Sequence, residues 1–194
     1  MNKISPQDLL SAAEYEKRRS DIRQRIIALK KRRRLAVGDL VTLVFENRET
    51  VLFQIQEMIR TERIFEPPKI QEEVDVYNCL LPNPGELSAT LFIEITESEN
   101  IQTLLDAFQG IDRANTLAIK VGEQTSFGIF EGGHSKEDKI SAVHFVRFST
   151  TPKFRADLAQ LDIPAFVTIS HTNYREKAQV SLEMRKEWLN DLRS

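Results

Sequence analysis

The chain has 194 residues, 41% hydrophobic and 29% charged, with 7 glycines and 7 prolines. That composition excludes disordered, collagen-like and low-complexity classes and suits one packed domain. Its single cysteine, Cys79, excludes an internal disulfide and the zinc or iron–sulfur sites that need several thiolates. The net charge of −2 hides an asymmetry, since Glu14 to Arg34 holds ten Lys or Arg against three acids. Such a segment suits either an anionic partner or a basic helix lying over its own acidic domain.

Ser5-Pro6 reads as a helix start, with serine as cap and proline where its missing N–H costs nothing. Ala12, Tyr15, Arg19, Ile22, Ile26 and Leu29 recur at spacings of three and four, predicting one helix to about Arg34 with most basic residues off the stripe. Leu40, Val41, Leu43, Val44 and Phe45 read as a buried strand. Asn47 then caps a second helix to about Phe65, with Val51, Leu52, Ile55, Met58 and Ile59 apolar, until Pro67-Pro68 stops it. A third, short helix from Pro68 to Tyr77 places Ile70, Val74 and Tyr77 on one side.

Pro82 to Gly85 form a loop. Beyond it the pattern predicts strands at 88–96, 116–121, 126–130, 140–148 and 165–170, with Gly122-Glu123 as a hairpin turn. Helices are expected at 101–108 and 152–160, and a mobile loop at 128–134. Residues 174–192 read as a last helix burying Val180, Met184, Trp188 and Leu192. The expected fold is a single α+β domain over residues 1–194, an antiparallel or mixed sheet covered by helices, with a helical part at 5–78 and a sheet-rich part at 87–194. No run approaches the ~20 apolar residues of a membrane span and no secretory leader is evident, so a cytoplasmic, soluble protein is expected.

Polar residues crowd the second and third helices. Glu57, Glu62, Glu73 and Tyr77 there could surround a pocket in which neighbouring carboxylates bind a cation or exchange protons. The alternative is a solvated face laced with pairs such as Glu57 with Arg60. The Glu-x-x-His pairs of carboxylate-bridged di-iron bundles are missing, and His134, His144 and His171 are scattered, so no metal ligands are assigned. His144 sits in Ala142-Val-His-Phe-Val-Arg-Phe148, where a core hydrogen bond is its ordinary role. Arg147 in the same strand must reach an edge or find a carboxylate, for which Glu57, Glu62 and Glu94 are candidates. Glu57, Arg60, Glu62, Glu73, Tyr77, His144 and Arg147 are therefore the candidate ligand-binding residues. Lys30 to Arg34 could neutralise phosphates, but no interleaved aromatics offer base stacking and the same charges suit a helix C-terminus. Nucleophile motifs and glycine-rich phosphate loops are absent, and Cys79 reads as a packing residue.

Phe45-Glu-Asn-Arg48, Gln54-Ile-Gln-Glu-Met58, Glu72-Glu-Val-Asp-Val-Tyr-Asn78, Ala89-Thr-Leu-Phe-Ile-Glu94 and Ser141-Ala-Val-His-Phe-Val-Arg-Phe148 occur in order. On these segments the chain resembles the bacterial domain-of-unknown-function family 3501 over nearly its whole length. Genes of that family tend to lie beside those of rubrerythrin and of an iron–sulfur oxidoreductase resembling heterodisulfide reductase subunits. The resemblance thus implies a redox or oxidative-stress setting, carries over no catalytic residue and names no cofactor. Cys79 stands where proline is common after Tyr-Asn, and His171-Thr-Asn-Tyr174 where His-Pro is more usual.

Three readings follow. The first is a non-catalytic accessory protein that docks on such an oxidoreductase or on rubrerythrin. The second is a small-molecule or metal-binding enzyme built on the candidate pocket. The third is nucleic-acid binding through Arg32, Arg33 and Arg34. The first helix's stripe also permits pairing with a second copy.

Overall fold

A computed structural model describes residues 2–95, 101–131 and 140–193. Ser5-Pro6 opens only a 3-10 turn, Pro6–Asp8. The long helix α1, Ala12–Arg33, starts instead at Ser11, whose side chain accepts from the Glu14 N–H while the Glu14 carboxylate accepts from Ser11 N. Between the two, Gln56 holds Leu10 extended by accepting from its N–H at 3.0 Å and donating to its carbonyl at 3.1 Å. The expected start is corrected by that long-range clamp, which no local signal encodes.

The chain continues through β1 (Arg34–Val37), β2 (Val41–Glu46), α2 (Arg48–Thr61), α3 (Pro67–Asn78), β3 (Glu86–Ile93), α4 (Ile101–Asp106), β4 (Leu117–Val121) and β5 (Gln124–Phe130). It ends with β6 (Val143–Ser149), α5 (Pro152–Ala159), β7 (Ala165–Ser170), β8 (Arg175–Gln179) and α6 (Leu182–Asp191). Asn47 caps α2 as its sequence requires, accepting from Thr50 N at 3.0 Å. Two strands depart from the sequence reading. The first helix ends at Arg33, as expected, and β1 follows it directly in residues assigned no element, while β8 occupies the start of the expected last helix, which begins only after Ser181 caps α6. Residues 128–130 belong to β5 rather than to a loop; His134 lies outside the described residues.

All eight strands pair antiparallel in the order β1-β2-β3-β6-β5-β4-β7-β8. The two outer strands return to each other and nearly close a barrel. Tyr174 pins this seam, its hydroxyl donating to the Val37 carbonyl at 2.7 Å and accepting from Leu40 N at 3.1 Å. Gly38, at φ 72°, makes the β1–β2 turn directly beneath it; a β-carbon there would overlap the Tyr174 hydroxyl and the Glu176 side chain.

Inward-facing Leu43, Phe45, Leu91, Ile119, Val146, Phe148 and Val167 fill the barrel. Phe154 and Leu158 of α5 and Met184 and Trp188 of α6 plug the Phe45–Phe148 end, with Trp188 4.5 Å from the Phe45 ring. Phe108 and Ile111 fill the opposite end, Phe108 packing 5.0 Å from Tyr174. A second cluster, Val51, Ile55, Val74, Leu80 and Leu81 with Phe145, seats α2 and α3 on the outer face of the sheet.

Two buried arginines fasten the helices. Arg33 donates to the Phe45 carbonyl at 2.8 Å, to Glu187 at 3.1 Å and to Asp191, joining α1, β2 and α6. Arg185 donates to the carbonyls of Leu158 at 2.5 Å, Gln160 at 2.9 Å and Ile163 at 2.5 Å, closing the exposed end of α5. Helices and an antiparallel sheet around one main core make this an α+β domain. No helix among the described residues is long and apolar enough to cross a membrane.

Candidate functional site

The helical period turns Glu57 toward α1. Arg19 grips its carboxylate with two bonds of 2.8 Å, the Tyr15 hydroxyl donates at 2.6 Å, and Arg60 stands 3.4 Å away. The Arg19 bonds pull the Glu57 carboxyl down to about 2, against the opposing cost of burial. Burial, then the bond to Glu57, pushes the Tyr15 hydroxyl up. Both oxygens of Glu57 are spoken for, so Glu57 and Arg60 serve as a strut between α1 and α2. Glu62 lies past the end of α2, exposed, its N–H closing the last turn on Met58.

Glu73 and Tyr77 come together elsewhere. With Met58, Val76, Cys79, Leu80, Glu131 and Phe145 they line a cavity of about 460 Å³ between α2, α3 and the β5–β6 edge. Its walls are mostly hydrocarbon; the Glu73 carboxylate supplies negative charge, while that of Glu131 is paired with Arg147. Burial, followed by the nearby Glu73 charge, pushes the Tyr77 hydroxyl up, so it remains a neutral donor. The Cys79 thiol is exposed and donates to the Asp75 carbonyl at 3.6 Å.

Arg147 stands behind this cavity as a brace. Its Nε donates to Glu131 at 2.8 Å, its Nη1 to the Leu81 carbonyl at 3.0 Å and its Nη2 to the Cys79 carbonyl, with Glu86 3.5 Å away. Burial opposes ionisation of Glu86, but donation from Ser149 and Asn83 and the charge of Arg147 bring its carboxyl below the ordinary value. Two of the guanidinium nitrogens thus hold the end of α3 and the following loop against β6, and the third ties in Glu131 after β5. The partner carboxylates are Glu86 and Glu131, not Glu57, Glu62 or Glu94; strand neighbours supply them through pairings that the order of residues does not spell out.

His144 lies on the other face of the same strand. Alternation along β6 sends His144, Val146 and Phe148 inward and Phe145 and Arg147 outward, so the histidine is shut off from the cavity. Its Nε2 is 2.8 Å from the Ser141 carbonyl and its ring meets Phe130 edge-on. The seven candidate residues therefore divide among the α1–α2 strut, the cavity, the α2 terminus and the barrel interior: Glu57 pairs with Arg60, and Glu73 and Tyr77 share a cavity that Arg147 backs. The arginines of the basic run are paired at home: Arg32 and Arg33 with Glu187, Arg33 with Asp191, and Arg34 with Glu94.

Sequence reasoning passed over Glu46. This carboxylate is 3% exposed beneath α2 and accepts from Thr50 at 2.5 Å, Thr90 at 2.9 Å and Gln54 at 3.1 Å. The only signal was an acid closing a run of strand apolars just before a helix cap. Among the described residues no three His, Cys, Asp or Glu side chains are grouped to hold a metal ion.

A nearly closed antiparallel barrel with helices laid over one side, and its strongest ion pairs spent on joining elements, defines a small α+β barrel protein. The chain belongs to the family described as protein of unknown function (DUF3501), whose model matches residues 3–192. It is similar to a novel protein of unknown function from Burkholderia pseudomallei K96243, known from its crystal structure, at 30% identity over 98% of this chain and 100% of that one, with a TM-score of 0.90. No curated protein matches the chain.

Proposed function

We propose that the protein is a non-catalytic accessory protein of the bacterial cytoplasm that docks on a redox partner, an iron–sulfur oxidoreductase or rubrerythrin. One observation carries the reading. The strongest acid–base pairs fasten elements together, while the concavity beside α3 keeps apolar surface open, with Val76 65% exposed on its rim. A partner that presents an apolar side chain with a cation beside it fits this concavity next to Glu73. The test is calorimetry of the purified chain against each purified partner. Binding that Val76→Arg weakens at least about tenfold supports the reading; a wild-type chain that binds neither partner overturns it.

The cavity itself favours a second reading, a site for a small apolar molecule carrying a positive charge. Its polar groups reduce to Glu73, Tyr77 and Glu131, since Glu57, Arg60, Glu62 and His144 lie elsewhere. Ligand-induced thermal shifts that vanish in Glu73→Gln and Tyr77→Phe would favour it, and elemental analysis of the purified protein tests for a metal. The third reading loses support, because Arg32, Arg33 and Arg34 are committed to Glu187, Asp191 and Glu94.

A further inference from the structure

The helices α2 and α3 cover the barrel beside β2, β3 and β6, and α5 and α6 enter its end. The outward side of β5, β4, β7 and β8 is different: Lys120, Phe127, Arg175 and Lys177 are exposed there. The pairing register sets these side chains on a grid. Lys120 lies opposite Phe166 on β7, Phe127 opposite Ala118 on β4, and Lys177 opposite Thr168 on β7. The inward set, Leu117, Ile119, Val121, Val167 and Ile169, is wholly buried, which fixes the direction of the alternating residues.

The charge on this side is of one sign. The four strands contain one carboxylate, Glu176, and its register partner is core-facing Ile169, so it stands on the other face. Among the described residues Lys120, Arg175 and Lys177 make no ion pair with an acid, in a chain whose net charge is −2. Two aromatic rings are set among these cations. Phe127 is 47% exposed, and Phe166 presents its face to the Lys177 ammonium 3.7 Å from the ring centre.

We propose that this sheet face is a platform for single-stranded nucleic acid, with bases stacked on Phe127 and Phe166 and phosphates met by Lys120, Arg175 and Lys177. Phe127 and Phe166 are two strands and one row apart, about 12 Å by sheet geometry, which is about two nucleotides of extended strand, and Lys120 lies between them. A base that takes the Phe166 face displaces the Lys177 ammonium toward the adjoining phosphate, so the cation–π contact is exchanged for a charge pair. An acidic protein surface would use the same cations but has no need of an exposed Phe127 and a second ring, half-buried under Lys177, at that spacing. The proposal is independent of the cavity beside α3 and of partner docking there.

Fluorescence anisotropy with labelled oligouridine, oligodeoxythymidine and a duplex of equal length tests it. Three phosphate contacts on a single strand give a slope of about −2 in log affinity against log salt, so binding falls about twenty-fold between 50 and 200 mM salt. Phe127→Ala weakens binding about tenfold, and Lys120→Glu does so by a similar factor. Lys31→Glu makes the same charge change on the exposed side of α1 and leaves affinity within about twofold. Preference for the ribose or the deoxyribose strand supports the proposal either way and identifies the source. It is overturned if neither strand binds at low salt, if the duplex binds equally well, or if Phe127→Ala has no effect. Equal losses in Lys31→Glu and Lys120→Glu, or equal competition by polyglutamate, also overturn it.

Discussion

Replacing Glu57 by Gln keeps the shape of the α1–α2 strut and the acceptor for Tyr15, and removes only the charge that Arg19 grips. The fall of the Glu57 carboxyl from its ordinary 4.5 to about 2 sets a ceiling of about 3 kcal/mol on its contribution to stability. The Arg19 side chain is 31% exposed and Glu57 23%, so water screens the pair and about 1–2 kcal/mol remains. Because the folded value is depressed, this stability is present above the ordinary 4.5 and is lost as pH falls through it toward 2. Urea unfolding followed through Trp188, the chain's single tryptophan and wholly buried, reads the difference directly. The wild type should exceed Glu57→Gln by about 1–2 kcal/mol at pH 7 and by less than about half of that at pH 3. A gap that is equal at both pH values, or absent at pH 7, refutes the charged strut.

Other outcomes follow from the seam and the buried charges. Gly38→Ala places a side chain at positive φ against Tyr174 and Glu176, and should cost about 2–4 kcal/mol in denaturant unfolding, more than Tyr174→Phe, which loses two hydrogen bonds worth about 1–2 kcal/mol. Burial lifts the Asp191 carboxyl to about 6 despite the opposing charge of Arg33. Its raised value gives a contribution to stability that is full below the ordinary 3.8 and is lost as pH rises through 6. Asp191→Asn should therefore flatten the fall in melting temperature that this group causes between about pH 4 and pH 6. Arg185→Lys cannot reach the carbonyls of Leu158, Gln160 and Ile163 together, and a loss of about 2–3 kcal/mol in urea is expected.

Local chemistry was enough to write most of the helices. The Asn47 cap and the stripe from Tyr15 to Leu29 each act within a turn or two of chain, so they read correctly in isolation, whereas α2 ends at Thr61, short of the expected Phe65, and Pro67-Pro68 open α3 rather than stop α2. The strands β3, β4, β6 and β7 showed through for the same reason, since alternation records which face is apolar. The same rule already set His144 and Arg147, three apart in one strand, on opposite faces, so a site containing both was ruled out by the spacing itself.

Tertiary structure decided the rest. Arg175-Glu-Lys-Ala-Gln179 has the composition of a helix, and it is a strand because β7 offers it an open edge and Tyr174 locks it at the seam. Arg147 found Glu131 and Glu86 through the β5–β6 and β3–β6 pairings, and Arg33 found Asp191 from the far end of the chain. The helical period turned Glu57 toward a neighbour but left open which helix that neighbour was, and so also left open whether the carboxylate was a ligand or a strut. Periodicity fixes the direction of a side chain within its own element; the group it meets depends on how distant elements pack, where burial and pairing outweigh local preference.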